Sequence, residues 1–537
     1  MSPRLRALLA AFLALTVVPT AGAQRWRPDL GDGRYRNPVL FADYSDPDVI
    51  RVGDDFYLTA SSFGHVPALP ILHSSDLVNW RIINHAERRL PPAFDVPQHG
   101  NGVWAPALRY HDGEFYLYYG DPDRGIYVVK TRDIRGAWDP PVLVKAARGW
   151  IDPCPLWDDD GNAYLVHAFA NSRAGIKSVL HVAKLSADGM RVLDDGRLVF
   201  DGHETHPTIE GPKFYKRNGW YYIFAPAGGV STGWQTVLRS RSVYGPYEAR
   251  VVMHQGAGPI NGPHQGGWVE LANGEDWFMH FQDRGPFGRV VHLQPMRWRP
   301  DGWPVIGDDS DNDGTGEPVL TYRKPAVRRA SPRREPQTSD EFDADSLGPQ
   351  WQWQGNDRPA WYSLGAHRGR LLLYAQPVAA DSAGLYEVPS LLLQKLSAPA
   401  LSAETRVRLG STADQTAGLI VFGTDYAYVA LRRSAGRVEL LQVRNVGADK
   451  GAQEAVVARV PVVRGDARLR VAIDSLARCR FAYTLDGRRW HEIGDTFQAR
   501  PGRWVGAKIG VFAVRPHHAD AAISTAPVAD FDFFHLR

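Results

Sequence analysis

The chain has 537 residues, too many for one ordinary hydrophobic core, so two or more domains are expected. Its 62 basic and 59 acidic side chains nearly cancel, which excludes the strongly one-signed surface of a nucleic-acid binder or a protein held on an anionic membrane. With 17 Trp, 52 Gly and 39 Pro, the composition suits an all-β protein rich in turns, and one that stacks sugar rings on indoles.

In chain order, the first element is a leader rather than part of the fold. Arg4 and Arg6 precede the apolar "ALLAAFLALTVV", and "AGA" before Gln24 is a small-residue cleavage site, so residues 1–23 are expected to be removed on export. The apolar stretch is too short to span a bilayer, and no later segment is long and apolar enough. No Cys stands at the cleavage site, so a lipid anchor is not expected. The mature protein is expected to be secreted or periplasmic, with Cys154 and Cys479 as unpaired structural thiols.

Five segments then share one grammar: "DPDVIRVGDDFYL" from Asp46, "WAPALRYHDGEFYL" from Trp104, "DPCPLWDDDGNAYL" from Asp152, "EGPKFYKRNGWYYI" from Glu210 and "HQGGWVELANGEDWF" from His264. Each has a distinctive residue, a Pro- or Gly-containing dipeptide, an apolar strand, a turn and an aromatic strand. Asn218-Gly219 is the pair a two-residue type I′ hairpin prefers. Spacings of 58, 48, 58 and 54 residues, with several strands per unit and no helical period, predict a five-bladed β-propeller over 24–322. Echoes at 71–80, 128–138 and 237–247 read as outer strands of their blades.

In a propeller the first strand of each blade lines the central channel. Asp46, Trp104, Asp152, Glu210 and His264 should therefore form one ring. Repeats kept for packing alone would carry similar apolar residues there, yet three of the five are acids. Buried acids need partners and shift each other's pKa. Three around a wet pocket suit glycoside hydrolysis: one protonates the leaving oxygen, one activates water or attacks, and the third holds the acid protonated. An acid and base about 6.5–9.5 Å apart would imply inversion. Trp104, uncharged at its ring position, reads as one wall of a sugar pocket, and Phe63 in "SSFGH" as another.

"SDPDVIRVGDDFYL", "WIDPCPLW" and "IEGPKFY" resemble the three acidic motifs of glycoside hydrolase family 43, inverting five-bladed propellers that act on xylose- and arabinose-containing glycans. The resemblance implies Asp46 as general base, Asp152 as pKa modulator and Glu210 as general acid. The stretches 61–80 and 280–296 resemble its β-xylosidase/α-L-arabinofuranosidase branch. By the same resemblance Arg289 would bond sugar hydroxyls, and His264 would lie beneath the sugar, contacting water or a channel Ca²⁺. No cofactor is expected for the chemistry itself. Where the family often has His after "EGP", this chain has Lys213.

Further on, "DDSDNDGTGE" (308–317) places Asp309, Asp311 and Asp313 in half of a calcium-loop pattern, but Leu320 stands where the last acidic ligand belongs; a solvated turn is expected. Residues 323–339, rich in Pro and Arg, read as a linker. From 340 to 537, short alternating runs separated by turns predict a β-sandwich, and "AGLIVFGTDYAYVAL" resembles the concanavalin-A-like domain attached to many β-xylosidases. The expectation is an exo-acting enzyme on xylo- or arabino-oligosaccharides. An endo-acting arabinanase and a non-catalytic carbohydrate-binding propeller are the alternatives.

Overall fold

Each of the five repeats folds into one four-stranded antiparallel sheet whose strands follow chain order. The computed structural model describes residues 25–329, 331–379, 382–410, 413–516 and 527–537; the leader expected over 1–23 lies outside them. The innermost strands of blades 1 to 5 are Asp48–Val52, Trp104–His111, Trp150–Trp157, Lys213–Arg217 and His264–Glu270, and neighbouring ones pack against each other around the channel. Second strands such as Glu114–Asp121 and Trp220–Ala227 are buried along nearly their whole length, because adjacent blades cover both faces. That explains their continuous aromatic and apolar runs. The sequence echoes supply the third strands, Ala68–Ser74, Gly125–Thr131 and Trp234–Ser240; a fourth strand lies outside each.

Turn chemistry follows the sequence closely. Asn218 and Gly219 have φ of +50° and +71°, both positive as a type I′ turn requires, between paired Arg217 and Trp220. Blade 5 meets blade 1 through Arg51 Nε, which donates to the Glu270 carbonyl at 2.6 Å. The chain start also seals the ring: Arg34–Arg36 pairs with Thr321–Arg323, Leu40 bridges Val291, and Asn37 exchanges hydrogen bonds of 2.8 Å with the Leu293 backbone.

The C-terminal part is two eight-stranded sheets packed face to face. Strands Leu401–Leu409 and Asp466–Ile473 alternate between buried and more exposed positions, the period of two that their sequences show. Leu419, Val429, Leu469, Ile509 and Phe531 lie in the core between the sheets. That core continues into the propeller through Phe41, Phe287 and Val290, and Val66 and Trp353 form a two-way backbone bridge across the junction. The Pro/Arg-rich segment between the parts is tied to blade 1: Gln337 bonds both backbone groups of Ile82, and Lys324 reaches Asp29 at 2.7 Å and Asp76 at 3.0 Å. Among the described residues, no helix is long and apolar enough to cross a membrane.

Candidate active site

At every ring position the backbone departs from a regular ladder. In blades 2, 3 and 5 the register slips between Trp104 and Ala107, Ile151 and Cys154, and His264 and Gly266. In blades 1 and 4 pairing starts only at Asp48 and Lys213, so Asp46 and Glu210 precede it. Such irregularities re-aim a side chain and recur beside active sites. Asp46 and Asp152 have φ of +53° and +56°, a left-handed conformation uncommon outside glycine, each directly before a proline. Strain of this kind, about 1–3 kcal/mol per residue, persists only where the surroundings over-determine it.

Those surroundings converge from several blades. Asp46 is buried; it accepts from Ser61 Oγ at 2.6 Å and from Arg289 Nη1 at 2.8 Å, while Arg289 also donates to Ser45 Oγ at 2.8 Å. Asp152, also buried, accepts at 2.7 Å from the amide of Gly211, the residue after Glu210. The acid motif of blade 4 is thereby anchored on blade 3. Burial pushes the Asp152 carboxyl above the usual range, and the Asp46 charge adds to that. Glu210, whose side chain keeps 33% exposure, is raised by burial first and then by the charges of Asp152 and Asp46. The three predicted carboxylates thus share one electrostatic environment.

His264 is fully buried, with Nε2 3.5 Å from Glu210 Oε1. Burial, helped by Arg289, depresses its pKa to about 3, so it is neutral and the contact is no ion pair. Neither ring nitrogen has a hydrogen-bond partner among the described residues. This offers a single nitrogen to a metal, whereas Ca²⁺ takes six to eight oxygens. Among the described residues, the one grouping of three acids within ligand range of each other is Asp309, Asp311 and Asp313. There Asp309, buried, already accepts from Arg297 at 2.5 Å and from the Gly314 amide.

Trp104 is half-buried, its indole donating to the Gly100 carbonyl at 2.9 Å. Phe63 is 3% exposed and meets Trp104 edge-on at 6.4 Å. Sequence reasoning missed two further residues at this wall. Trp504, on a sandwich loop, contacts Trp104 edge-on at 6.4 Å and stays 47% exposed. Arg173, in the turn of helix Asn171–Ala174, lies over the Trp104 ring at 5.9 Å and donates to Asn101. A tryptophan bracketed by Pro and Gly in "RPGRWVG" (500–506) was the only sequence signal for Trp504, and nothing marked Arg173.

Deeper in the channel a second polar ring links the blades. Asp48, wholly buried, accepts from Arg109 Nη1 at 2.7 Å and the Leu108 amide at 2.8 Å. Arg109 Nη2 donates to Cys154 Sγ at 2.8 Å, its guanidinium lies 5.3 Å over Tyr215, and Tyr215 Oη accepts from the Trp268 amide at 3.0 Å. Every blade contributes to it. Asp48, two positions after Asp46, is therefore committed to holding the ring. Cys154 and Cys479 are both buried and free, as expected.

The model of glycosyl hydrolases family 43 matches residues 35–304, half of the chain, and that of the β-xylosidase C-terminal concanavalin-A-like domain matches 339–537. The chain belongs to glycosyl hydrolase family 43. It is an O-glycosyl hydrolase acting on a glycan. A protein of Xylanibacter ruminicola named "Putative beta-xylosidase" is 42% identical, the alignment covering 90% of this chain and 86% of that one. A β-xylosidase of Formosa agariphila is 32% identical over 90% and 88% of the two chains. A non-reducing end α-L-arabinofuranosidase of Bacteroides ovatus is 29% identical over 95% and 96%. Among solved structures, the xylan β-1,4-xylosidase of Bacillus halodurans superposes with a TM-score of 0.80 at 25% identity, covering 94% of this hydrolase and 99% of that chain.

Proposed function

We propose that this family 43 hydrolase removes terminal β-xylosyl or α-L-arabinofuranosyl residues from hemicellulose-derived oligosaccharides, outside the cytoplasm and with inversion. The carrying observation is the cluster itself: Glu210 sits beside two other acids, raised in pKa by burial and by their charges, and still open to solvent. Relatives named as xylosidases and arabinofuranosidases support the pentose assignment.

In this reading Glu210 protonates the leaving glycosidic oxygen. Asp46, oriented by Ser61 and Arg289, takes the proton of the attacking water. Asp152 keeps Glu210 protonated at neutral pH through its charge, and through Gly211 it fixes where the acid motif stands. Arg289 bonds sugar hydroxyls, Trp104 and Phe63 wall the sugar, and His264 supports Glu210 and the water beneath. A channel Ca²⁺ would be held by His264 and mostly by water, because the residues there do not make an oxygen cage. No step needs it, and chelation should leave turnover unchanged.

The test is p-nitrophenol release from aryl β-xylosides and α-L-arabinofuranosides, with Glu210→Gln compared on good and poor leaving groups. The variant should be least impaired with the best leaving group. Equal impairment on both would remove the acid assignment, and release from neither pentoside class would remove the substrate assignment. Proton NMR of the first-formed anomer reads inversion directly. N-terminal sequencing of the exported protein should start at Gln24.

A further inference from the structure

Three residues before Asp46, the carboxylate of Asp43 lies buried at the junction of the two domains. Its Oδ1 accepts from the Arg289 amide at 2.9 Å, and its Oδ2 accepts from the Gly506 amide at 3.0 Å. Arg289 holds Asp46; Gly506 is two residues after Trp504. Two further backbone bonds run alongside: Tyr44 N to the Arg289 carbonyl at 3.1 Å and Ala507 N to the Pro286 carbonyl at 2.7 Å.

The approach is at the contact limit. A Cβ on Gly288, which has φ of +76°, would stand 2.5 Å from Asp43, and one on Gly506 would stand 2.6 Å from the Gly288 nitrogen. Two glycines therefore let the propeller loop and the sandwich loop close on one carboxylate. Lys395 and Lys508 face the same point from the sandwich, and the charge of Asp43 offsets part of the cost of burying them.

We propose that Asp43 is a positioning residue that locks Arg289 onto the base Asp46 and docks the sandwich loop carrying Trp504, so that the pentose pocket and its outer wall are set together. This rests on the reading of the site given above. Arg289 is one of the charges facing Glu210, together with Asp152, Asp46 and Lys177, while neutral His264 lies against it. Arg289 lowers the pKa of Glu210, so an Arg289 that drifts away should let it rise. Loss of the clamp is then visible as a shift of the basic limb of kcat/KM to higher pH.

The experiment compares full-length wild type, Asp43→Asn and Trp504→Ala by kinetics and by hydrogen–deuterium exchange over 284–290 and 500–507. Asn keeps the shape but presents an NH₂ to one of the two amides. Asp43→Asn should lose about ten- to hundredfold in kcat/KM, the range for a charge-assisted bond. It should also move the basic limb up and raise exchange in both segments. Trp504→Ala should raise KM for an oligosaccharide without moving the limb. An Asp43→Asn enzyme with the wild-type limb, or with exchange raised in one segment only, overturns the proposal. If the wild type releases no pentose, the substrate reading has failed and exchange alone decides: both segments rising together upholds the clamp, anything less refutes it. If Asp43→Asn does not fold, Gly506→Ala breaks the same clamp from the sandwich side and is judged by the same outcomes.

Discussion

The channel contains two rings of polar residues, and their contrast separates chemistry from construction. In the lower ring, Asp48 faces the guanidinium of Arg109, whose second nitrogen is taken by Cys154; this network joins blades. In the upper ring, Asp152 and Glu210 face other acids, and both are pushed toward the protonated form. Two aspartates separated by one proline, Asp46 and Asp48, fall on opposite sides of that divide. Each is paired with an arginine, Asp46 with Arg289 and Asp48 with Arg109. But Asp46 also shares its surroundings with Asp152 and Glu210, and buried acids facing each other at an open mouth can exchange protons.

Substitutions should break the two rings differently. The largest effect is expected in the upper ring: Asp46→Asn or Glu210→Gln should lower kcat by about 10²–10⁴-fold, measured on aryl pentosides, with the fold intact by circular dichroism. In the lower ring Asp48→Asn leaves Arg109 buried without its counter-charge. That should cost about 3–5 kcal/mol of stability, read as a lower midpoint in urea.

A third prediction tests the coupling between upper acids. With Asp152→Asn the negative charge that raises Glu210 is gone, so its pKa falls and the basic limb of kcat/KM moves to lower pH, the reverse of the Asp43→Asn shift. Stability carries the same sign. The folded-state pKa of Glu210 lies above its unfolded value, so the wild type loses stability as pH rises from the ordinary glutamate range through the raised folded value. Glu210→Gln cannot ionise and should melt above the wild type at neutral pH while matching it in acid. The smallest effect is expected at the mouth. Trp504→Ala removes one edge-on aromatic contact, and the oligosaccharide KM should rise about two- to tenfold.

The parts of the molecule legible in its sequence are those set by neighbours along the chain. Each blade announces itself by a strand, a turn such as Asn218-Gly219 and an aromatic strand, all within some fifteen residues, so the repeat could be counted. The three carboxylates stood out because they vary at a place where the repeat does not. Trp504, Arg173 and Asp43 carried no such mark, because their partners are supplied by other blades or by the other domain. The role of Asp48 was equally hidden: only the fold shows that it meets Arg109 in the network with Cys154, while Asp46 meets Arg289 beside Asp152 and Glu210.

The pairing of Arg34–Arg36 with Thr321–Arg323 imposes an order on biogenesis. Arg34–Arg36 is made early but finds its partner only once all five blades have followed, so a chain still being synthesised carries an unclosed torus. Tags or fusions joined close ahead of Arg34 would load that late seam rather than hang free of it.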